Sequence, residues 1–404
     1  MNPGKEHDDP HHGPLHGIRV LDVSRMVAGG VAGMLLADFG ADVIKVEQPG
    51  SGDPLREWTT AGQPLWWKVY GRNKRYVTLN LKCADGVAIF KQLVPRFDVV
   101  IESFVPGTLE RLGLGWDVLH GCNPRLVLVR ISGWGQTGPA ARTPGFGTLV
   151  EAASGFAAMN GEPDGLPIVP SFPLADMSCG LYATNAIMFA LYSRDVNGDG
   201  GQVIDVALFE SLFSLLGPLA AEYATTGRVR ERSGSRSKNS GPRGCYRTSD
   251  GGWVAVSAST PKMAERFLSS YGLGHLLTDP RFATNEARVE HAAELDEAVG
   301  GAIAAHTLQE NIRIIDQHAL TATAVQTVAD IERNPHWHAR RLLVDVPNGA
   351  SAVRMHNVIP RLSDTPGEIR WPGGALGQDN RDIYQMELGL SGDEMQRLQD
   401  SGVI

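Results

Sequence analysis

Five short apolar runs, separated by stretches long enough for a helix, set the class of this chain before any single residue is weighed. They are "IRVLDV" (18–23), "ADVIKVE" (41–47), "RYVTLNL" (75–81), "DVVIES" (98–103) and "RLVLVRIS" (125–132). Runs that are apolar nearly throughout, rather than at every second residue, are strands buried on both faces. The intervening "VAGMLLADFG" and the segment 84–96 have the length of crossover helices. This alternation predicts an α/β chain with a parallel, doubly wound sheet.

From Gly145 to about Leu216 the pattern turns helical and rich in Ala, Gly and Ser, residues that let helices approach closely. Composition then shifts. The segment 225–244, "TTGRVRERSGSRSKNSGPRG", is polar, basic and Gly/Ser-rich and reads as a linker or mobile loop. After it, "GGWVAVSAS" (251–259) and several helices to about Leu320 make a smaller inserted α+β domain. The stretch 342–366 reads as a hairpin around "PNGA", and the chain then ends in a helix that returns to the first sheet. The expected division is a disordered tail over 1–16, a large domain over 17–224, linker and small domain over 225–325, and a returning part over 326–404.

A formal charge of -8, with 20% charged and 42% hydrophobic residues, excludes the basic face of a nucleic-acid binder and the composition of a disordered chain. A small molecule is the expected partner. No run reaches the roughly 18 to 20 unbroken apolar residues of a membrane span, and the N-terminus has no apolar signal core. Cys83, Cys122, Cys179 and Cys245 form no C-x-x-C pair, which fits a reducing cytoplasm and indicates neither zinc nor a disulfide scaffold. The tail histidines His7, His11, His12 and His16 and the pair in "HWH" (336–338) lack the preorganised third ligand of a metal site, so no metal is expected.

Four segments carry candidate chemistry. The turn "SRMVAGGVAG" (24–33) joins a strand to a helix, where parallel sheets bind anions on free backbone N–H groups. Its glycines do not form G-x-G-x-x-G, and tight helix–strand packing explains them equally well. "GRNKR" concentrates Arg72, Lys74 and Arg75, with Arg111 following "SFVPG"; these make either an anion site or a solvated basic face. In "SFPLADMSCGLYA" (171–183) Asp176 is the one charged residue. It reads first as a helix N-cap, a role compatible with that of a carboxylate held at a helix N-terminus and able to attack an acyl carbon. Phe146, Met159 and Phe172 are either pocket walls for a carbon chain or plain core.

Taken together, "GIRVLDVSRMVAGG", "ADFGADVIKVEQPGSGDPLR", "RNKRYVTLNLK", "DVVIESFVPGTLERLGLGW", "NPRLVLVRISGWGQTGP", "LADMSCGLYA" and "GQVIDVALFES" resemble the class III CoA-transferases, the CaiB/BaiF group, from Gly17 to Ile404. The resemblance implies a Rossmann-like large domain built from both chain ends, a small middle domain, and two interlocked subunits, a homodimer or a heteromer with a homologous subunit. It implies no resident cofactor, with coenzyme A and acyl-CoA as substrate and a small carboxylic acid as acceptor. Asp176 becomes the nucleophile, passing through a mixed anhydride to an aspartyl-CoA thioester. CoA would be held by Met26, Val27, Ala28, Arg72, Asn73, Lys74 and Arg111, with Phe146 and Gly147 facing the acyl group. Where formyl-CoA transferases carry glutamine and glutamate this chain has Val27 and Gly147, and it lacks their tetraglycine lid, which argues against formyl-CoA as substrate. The racemases of the same superfamily need a catalytic histidine, and none occurs between His120 and His275. Succinyl-CoA or acetyl-CoA is the expected donor. A non-catalytic subunit is a further alternative, opposed by the intact "LADM".

Overall fold

The computed structural model describes residues 13–404. The histidines His7, His11 and His12 lie outside the described residues, as does most of the expected tail; residues 13–16 form a turn in which the Leu15 N–H donates to the Phe39 carbonyl. Two compact units divide the chain. One comprises residues 13–155, 170–217 and 341–404, the other 156–169 and 218–340. These limits differ from the expected 225 and 325, and 156–169 joins the second unit, where Gly234 donates to the Gly161 carbonyl.

The first unit is built on a sheet of six parallel strands: β1 (Arg19–Asp22), β2 (Asp42–Glu47), β3 (Arg75–Thr78), β4 (Val99–Glu102), β5 (Val127–Ser132) and β6 (Val203–Ala207). Their order is β3-β2-β1-β4-β5-β6, with every pairing parallel. The α/β class and the Rossmann-like arrangement are those expected. The sixth strand was not foreseen: only Val206 and Ala207 of β6 are buried, so this edge strand lacks the apolar run of the other five. β1 pairs with β2 on one side and β4 on the other, so the strand order reverses at β1, and the loops leaving the carboxyl ends of β1 and β4 stand side by side there.

Helices α1 (Ala28–Asp38), α2 (Ala84–Leu93), α3 (Gly147–Ala153), α4 (Leu174–Val196) and α5 (Leu208–Ser214) belong to this unit. α1 is buried along nearly its whole length, so its small residues serve packing rather than helix propensity. A Cβ at Gly29 would fall 2.1 Å from Ser24 Oγ, and one at Gly180 of α4 would fall 2.8 Å from the Ala28 carbonyl oxygen and from Val31 Cβ. The absence of side chains at these two points lets α1 lie against β1 and α4 against α1. At 23 residues, α4 is long and apolar enough to cross a membrane by length and composition, although Asp176, Ser178 and Asn185 interrupt its apolar run. One face of it is core, through Ala175, Cys179, Ala183, Ile187 and Leu191, while Leu181, Phe189, Tyr192 and Val196 are exposed.

The remaining chain closes the first unit. The carboxylate of Asp379 accepts the Tyr76 N–H at 2.6 Å and Asn380 Oδ1 accepts the Thr78 N–H at 2.9 Å, so the open edge of β3 is covered. Ile383, Tyr384, Leu398 and Ile404 complete the core formed by Leu21, Val77, Val100 and Leu128. The second unit holds the antiparallel sheet β7 (Arg243–Arg247), β8 (Trp253–Ser257) and β9 (Ala322–Ala324), with helices Pro261–Ser270, Ala292–Ala304 and Leu308–Gln317 packed on it through Val254, Phe267, Val299 and Ile315. The expected hairpin is β10 (Leu343–Asn348) and β11 (Ser351–His356), turning through Gly349 at φ 64°.

Candidate active site

The site begins where β1 ends. Asp22 is fully buried, and its two oxygens meet Lys74 Nζ at 2.9 Å and Lys45 Nζ at 3.5 Å. Burial alone would raise its pKa, but the two ammonium groups and the Ser24 hydroxyl outweigh burial and hold it below the ordinary carboxylate value. Lys45 also pairs with Asp53 at 3.0 Å, and Asp53 Oδ1 accepts the Met26 N–H at 3.1 Å. Met26 sits at φ 63°, a conformation that side-chain-bearing residues adopt only when the surroundings impose it. This buried ionic cluster fixes the loop and turns the chain into α1. The N–H of Ala28, the first residue of that helix, lacks an intrahelical partner and points at the carboxylate of Asp176.

Asp176 lies in the first turn of α4, three residues after the N-cap position, which Pro173 occupies without a side-chain hydrogen bond. The cap reading of Asp176 is therefore corrected: it stands inside the helix and its carboxylate is turned outward toward α1 and α3. A Cβ at Gly147 would lie 2.3 Å from Asp176 Oδ2, so only glycine admits the carboxylate there. Burial, and next the charge of Glu151, raise its pKa to about 6 against the pull of the Ala28 N–H and its own N–H. It is thus mostly ionised at neutral pH and more basic than an exposed aspartate. One turn on, burial pushes the Cys179 thiol up to about 12, which leaves it without nucleophilic character.

The sequence-predicted residues do not all gather at one place. Ala28, Gly147 and Asp176 come together. Val27 is 1% exposed and packs with Val31, Leu55, Trp67 and Tyr76, while Phe146, just before Gly147, is 68% exposed. The side chains of Arg72, Asn73 and Lys74 do not make a free anion site, and that expectation is corrected. Arg72 is engaged by Asp38 at 2.6 Å and by the His356 carbonyl, Asn73 donates to Asp38 and the Glu368 carbonyl, and Lys74 is engaged by Asp22 and the Gly30 carbonyl. All three are at most 2% exposed. Arg111 is exposed, and beside it stands a residue the sequence did not single out, Arg142: a Cβ at Gly107 would meet their guanidinium groups at 3.6 and 3.5 Å. These two cations flank the loop after β4, and the Arg25 N–H of the β1 loop donates to Ser103 Oγ in it.

Glu151 was also missed. It is 1% exposed, and its Oε1 accepts the N–H of Ala175 at 3.1 Å. The available signal was the one that marked Asp176: it is the sole charged residue in "GFGTLVEAASGF" (145–156). Among the described residues no group of three His, Cys, Asp or Glu is placed to hold a metal, and His336 and His338 are exposed on the short helix Pro335–Ala339. A cavity of about 1380 Å3 lies at the opposite, amino ends of β1 to β3, where Arg19 and Arg75 are paired with Asp42 and Glu387. It does not include Asp176.

A half-buried carboxylate of raised pKa facing a helix-start N–H, on a unit that also exposes Arg111 and Arg142, suits acyl chemistry on an anionic carrier. The family model described as CoA-transferase family III matches residues 15–380. The chain is 41% identical over 395 residues to succinyl-CoA–D-citramalate CoA-transferase of Chloroflexus aurantiacus, covering 97% of this chain and 98% of that one. It is 40% identical over 398 residues to the beta subunit of succinyl-CoA–L-malate CoA-transferase of the same organism, again over 97% and 98%. Among solved structures, a CaiB/BaiF family protein from Brucella suis superposes with a TM-score of 0.82 at 30% identity, over 93% of this chain and 99% of that one. The chain belongs to CoA-transferase family III. It is an enzyme that moves CoA from an acyl-CoA to a carboxylic acid.

Proposed function

We propose that this transferase takes CoA from succinyl-CoA and passes it to a short dicarboxylic acid of the malate or citramalate kind, through a covalent intermediate on Asp176. The observation that carries the reading is the Asp176 carboxylate set against the Ala28 N–H and Gly147; the choice of donor and acceptor follows the names of the relatives at 41% and 40% identity. An Asp176 oxygen attacks the thioester carbon, CoA thiolate leaves, and a mixed anhydride forms. The thiolate then attacks Asp176 Cγ, the succinate carboxylate leaves with the bonding electrons, and an aspartyl thioester remains. The acceptor acid runs the same steps in reverse, so one thioester is exchanged for another without ATP. The Ala28 N–H, which has no acceptor within its own helix, is the donor for the oxyanion that develops at the attacked carbon.

In this reading Arg111 and Arg142 receive the CoA phosphates, the Met26–Ala28 turn holds the pantetheine end, and the exposed Phe146 borders the acyl group. A homodimer, or a heteromer with a homologous subunit, belongs to the same reading; the exposed apolar face of α4 supports it. The test is a matrix of succinyl-, acetyl- and propionyl-CoA against mono- and dicarboxylic acids, read by the mass of the CoA ester formed. Succinyl-CoA with L-malate or D-citramalate should give the new ester and free succinate in equal amounts. Transfer confined to monocarboxylic acids would overturn the acceptor assignment, and consumption of acyl-CoA without any acceptor would overturn transfer itself.

A further inference from the structure

We propose that Glu151 is the positioning residue of the nucleophile: from α3 its buried carboxylate caps the first turn of α4 and sets a fixed negative charge beside Asp176. The proposal rests on the reading of Asp176 as nucleophile. α4 has no side-chain cap of its own, since Pro173 occupies that place. Glu151 supplies one from another helix, accepting the Ala175 N–H at 3.1 Å, one residue before Asp176. The two carboxylates flank the same glycine. The point where a Gly147 Cβ would sit is 2.3 Å from Asp176 Oδ2 and 3.8 Å from Glu151 Oε1. The Glu151 carboxylate accepts at the N-terminal end of α4, and its charge disfavours the ionised form of Asp176.

Other charged groups on the elements packed around Asp176 are engaged elsewhere or exposed. α1 carries Asp38, paired with Arg72; β5 carries Arg130, paired with Glu102 and Glu110; β6 carries Asp205, which accepts the Gln136 N–H. Glu210 of α5 is exposed, Arg194 and Asp195 pair at the far end of α4, and Cys179 is a neutral thiol. Of these groups, Glu151 is the one whose charge raises Asp176.

This placement has a chemical consequence at the mixed anhydride. CoA thiolate can attack either carbonyl. Attack on the acyl carbon expels Asp176 and regenerates the donor; attack on Asp176 Cγ breaks its bond to the acyl carboxylate, which departs with the electron pair, and yields the aspartyl thioester. A carboxylate made more basic is the poorer leaving group, so the charge of Glu151 steers collapse toward the aspartyl thioester. At the first step the same basicity makes Asp176 the stronger nucleophile while leaving it ionised above about pH 6.

The test compares the acid limb of kcat/KM, which reports groups of the free enzyme, in the wild type and Glu151→Gln, with the activity of Asp176→Ala measured beside them. Glu151→Gln keeps an acceptor for the Ala175 N–H and removes the charge. Its acid limb should move down by about one pH unit, the size of effect a neighbouring like charge exerts. Glu151→Ala should show the same shift together with a lower thermal midpoint, because it also removes the cap. Should Glu151→Gln not fold, Glu151→Met, uncharged and of similar volume, gives the same pH reading. An acid limb unmoved in folded Glu151→Gln, with Asp176→Ala inactive, overturns the role of Glu151 alone. Activity in Asp176→Ala overturns the nucleophile reading on which it rests.

Discussion

Replacing Asp176 by alanine lowers CoA exchange by on the order of 10^4-fold or more, since loss of a covalent nucleophile leaves only binding and oxyanion stabilisation. The fold survives the change. Asp176 is not the cap of α4, and alanine is a better helix former than aspartate. The variant is also no less stable, for a reason that can be read from the direction of the pKa. The folded-state value, about 6, is above the ordinary 3.8, so the folded protein binds this proton more tightly than the unfolded chain does. Stability from this group is therefore present below the ordinary value and is lost as pH rises through the folded one. At pH 7 the ionised carboxylate costs on the order of 3 kcal/mol. The thermal midpoint of Asp176→Ala relative to wild type should accordingly be more favourable at pH 7 than at pH 4. Equal differences at the two pH values would show that the carboxylate is not strained by its surroundings.

Lys74→Met separates two readings of the basic cluster. In the structure Lys74 is a buried counter-ion of Asp22, and removing one member of a buried pair costs about 3–5 kcal/mol because the other charge is left under-compensated. The variant free of ligand should lose roughly 10 °C in thermal midpoint, by the usual relation between stability and melting in domains of this size. Activity should fall with it, since Asp22, Lys45 and Asp53 jointly hold the Met26 turn and hence the direction of the Ala28 N–H. If Lys74 instead contacted a phosphate of CoA, the unliganded midpoint would be unchanged and only KM for acyl-CoA would rise.

The contrast between Asp176 and Lys74 shows what the sequence reveals. Five strands were legible because they are buried on both faces and their composition records it, whereas the sixth, β6, is a half-exposed edge and leaves no such record. Asp176 stood out as a lone charge among small residues, and that signal reports a desolvated environment, which does not depend on knowing its neighbours. Glu151 carried the same signal and became meaningful only when the fold set it one helix away. The basic run "RNK" misled for the opposite reason. Charge clusters look exposed in one dimension, but Lys74 meets Asp22, 52 residues earlier, and Arg72 meets Asp38, 34 residues earlier. Such long-range pairs are set by the strand order β3-β2-β1 and are visible only after the sheet has formed.

Transfer by this route requires a covalent bond to Asp176, and mass spectrometry of its peptide tests this most directly. Wild-type protein incubated with succinyl-CoA and trapped with hydroxylamine should yield a hydroxamate on Asp176 and on no other carboxylate, in an amount that depends on the acyl-CoA. A peptide containing Asp176 that stays unmodified in protein actively transferring CoA would contradict the covalent mechanism.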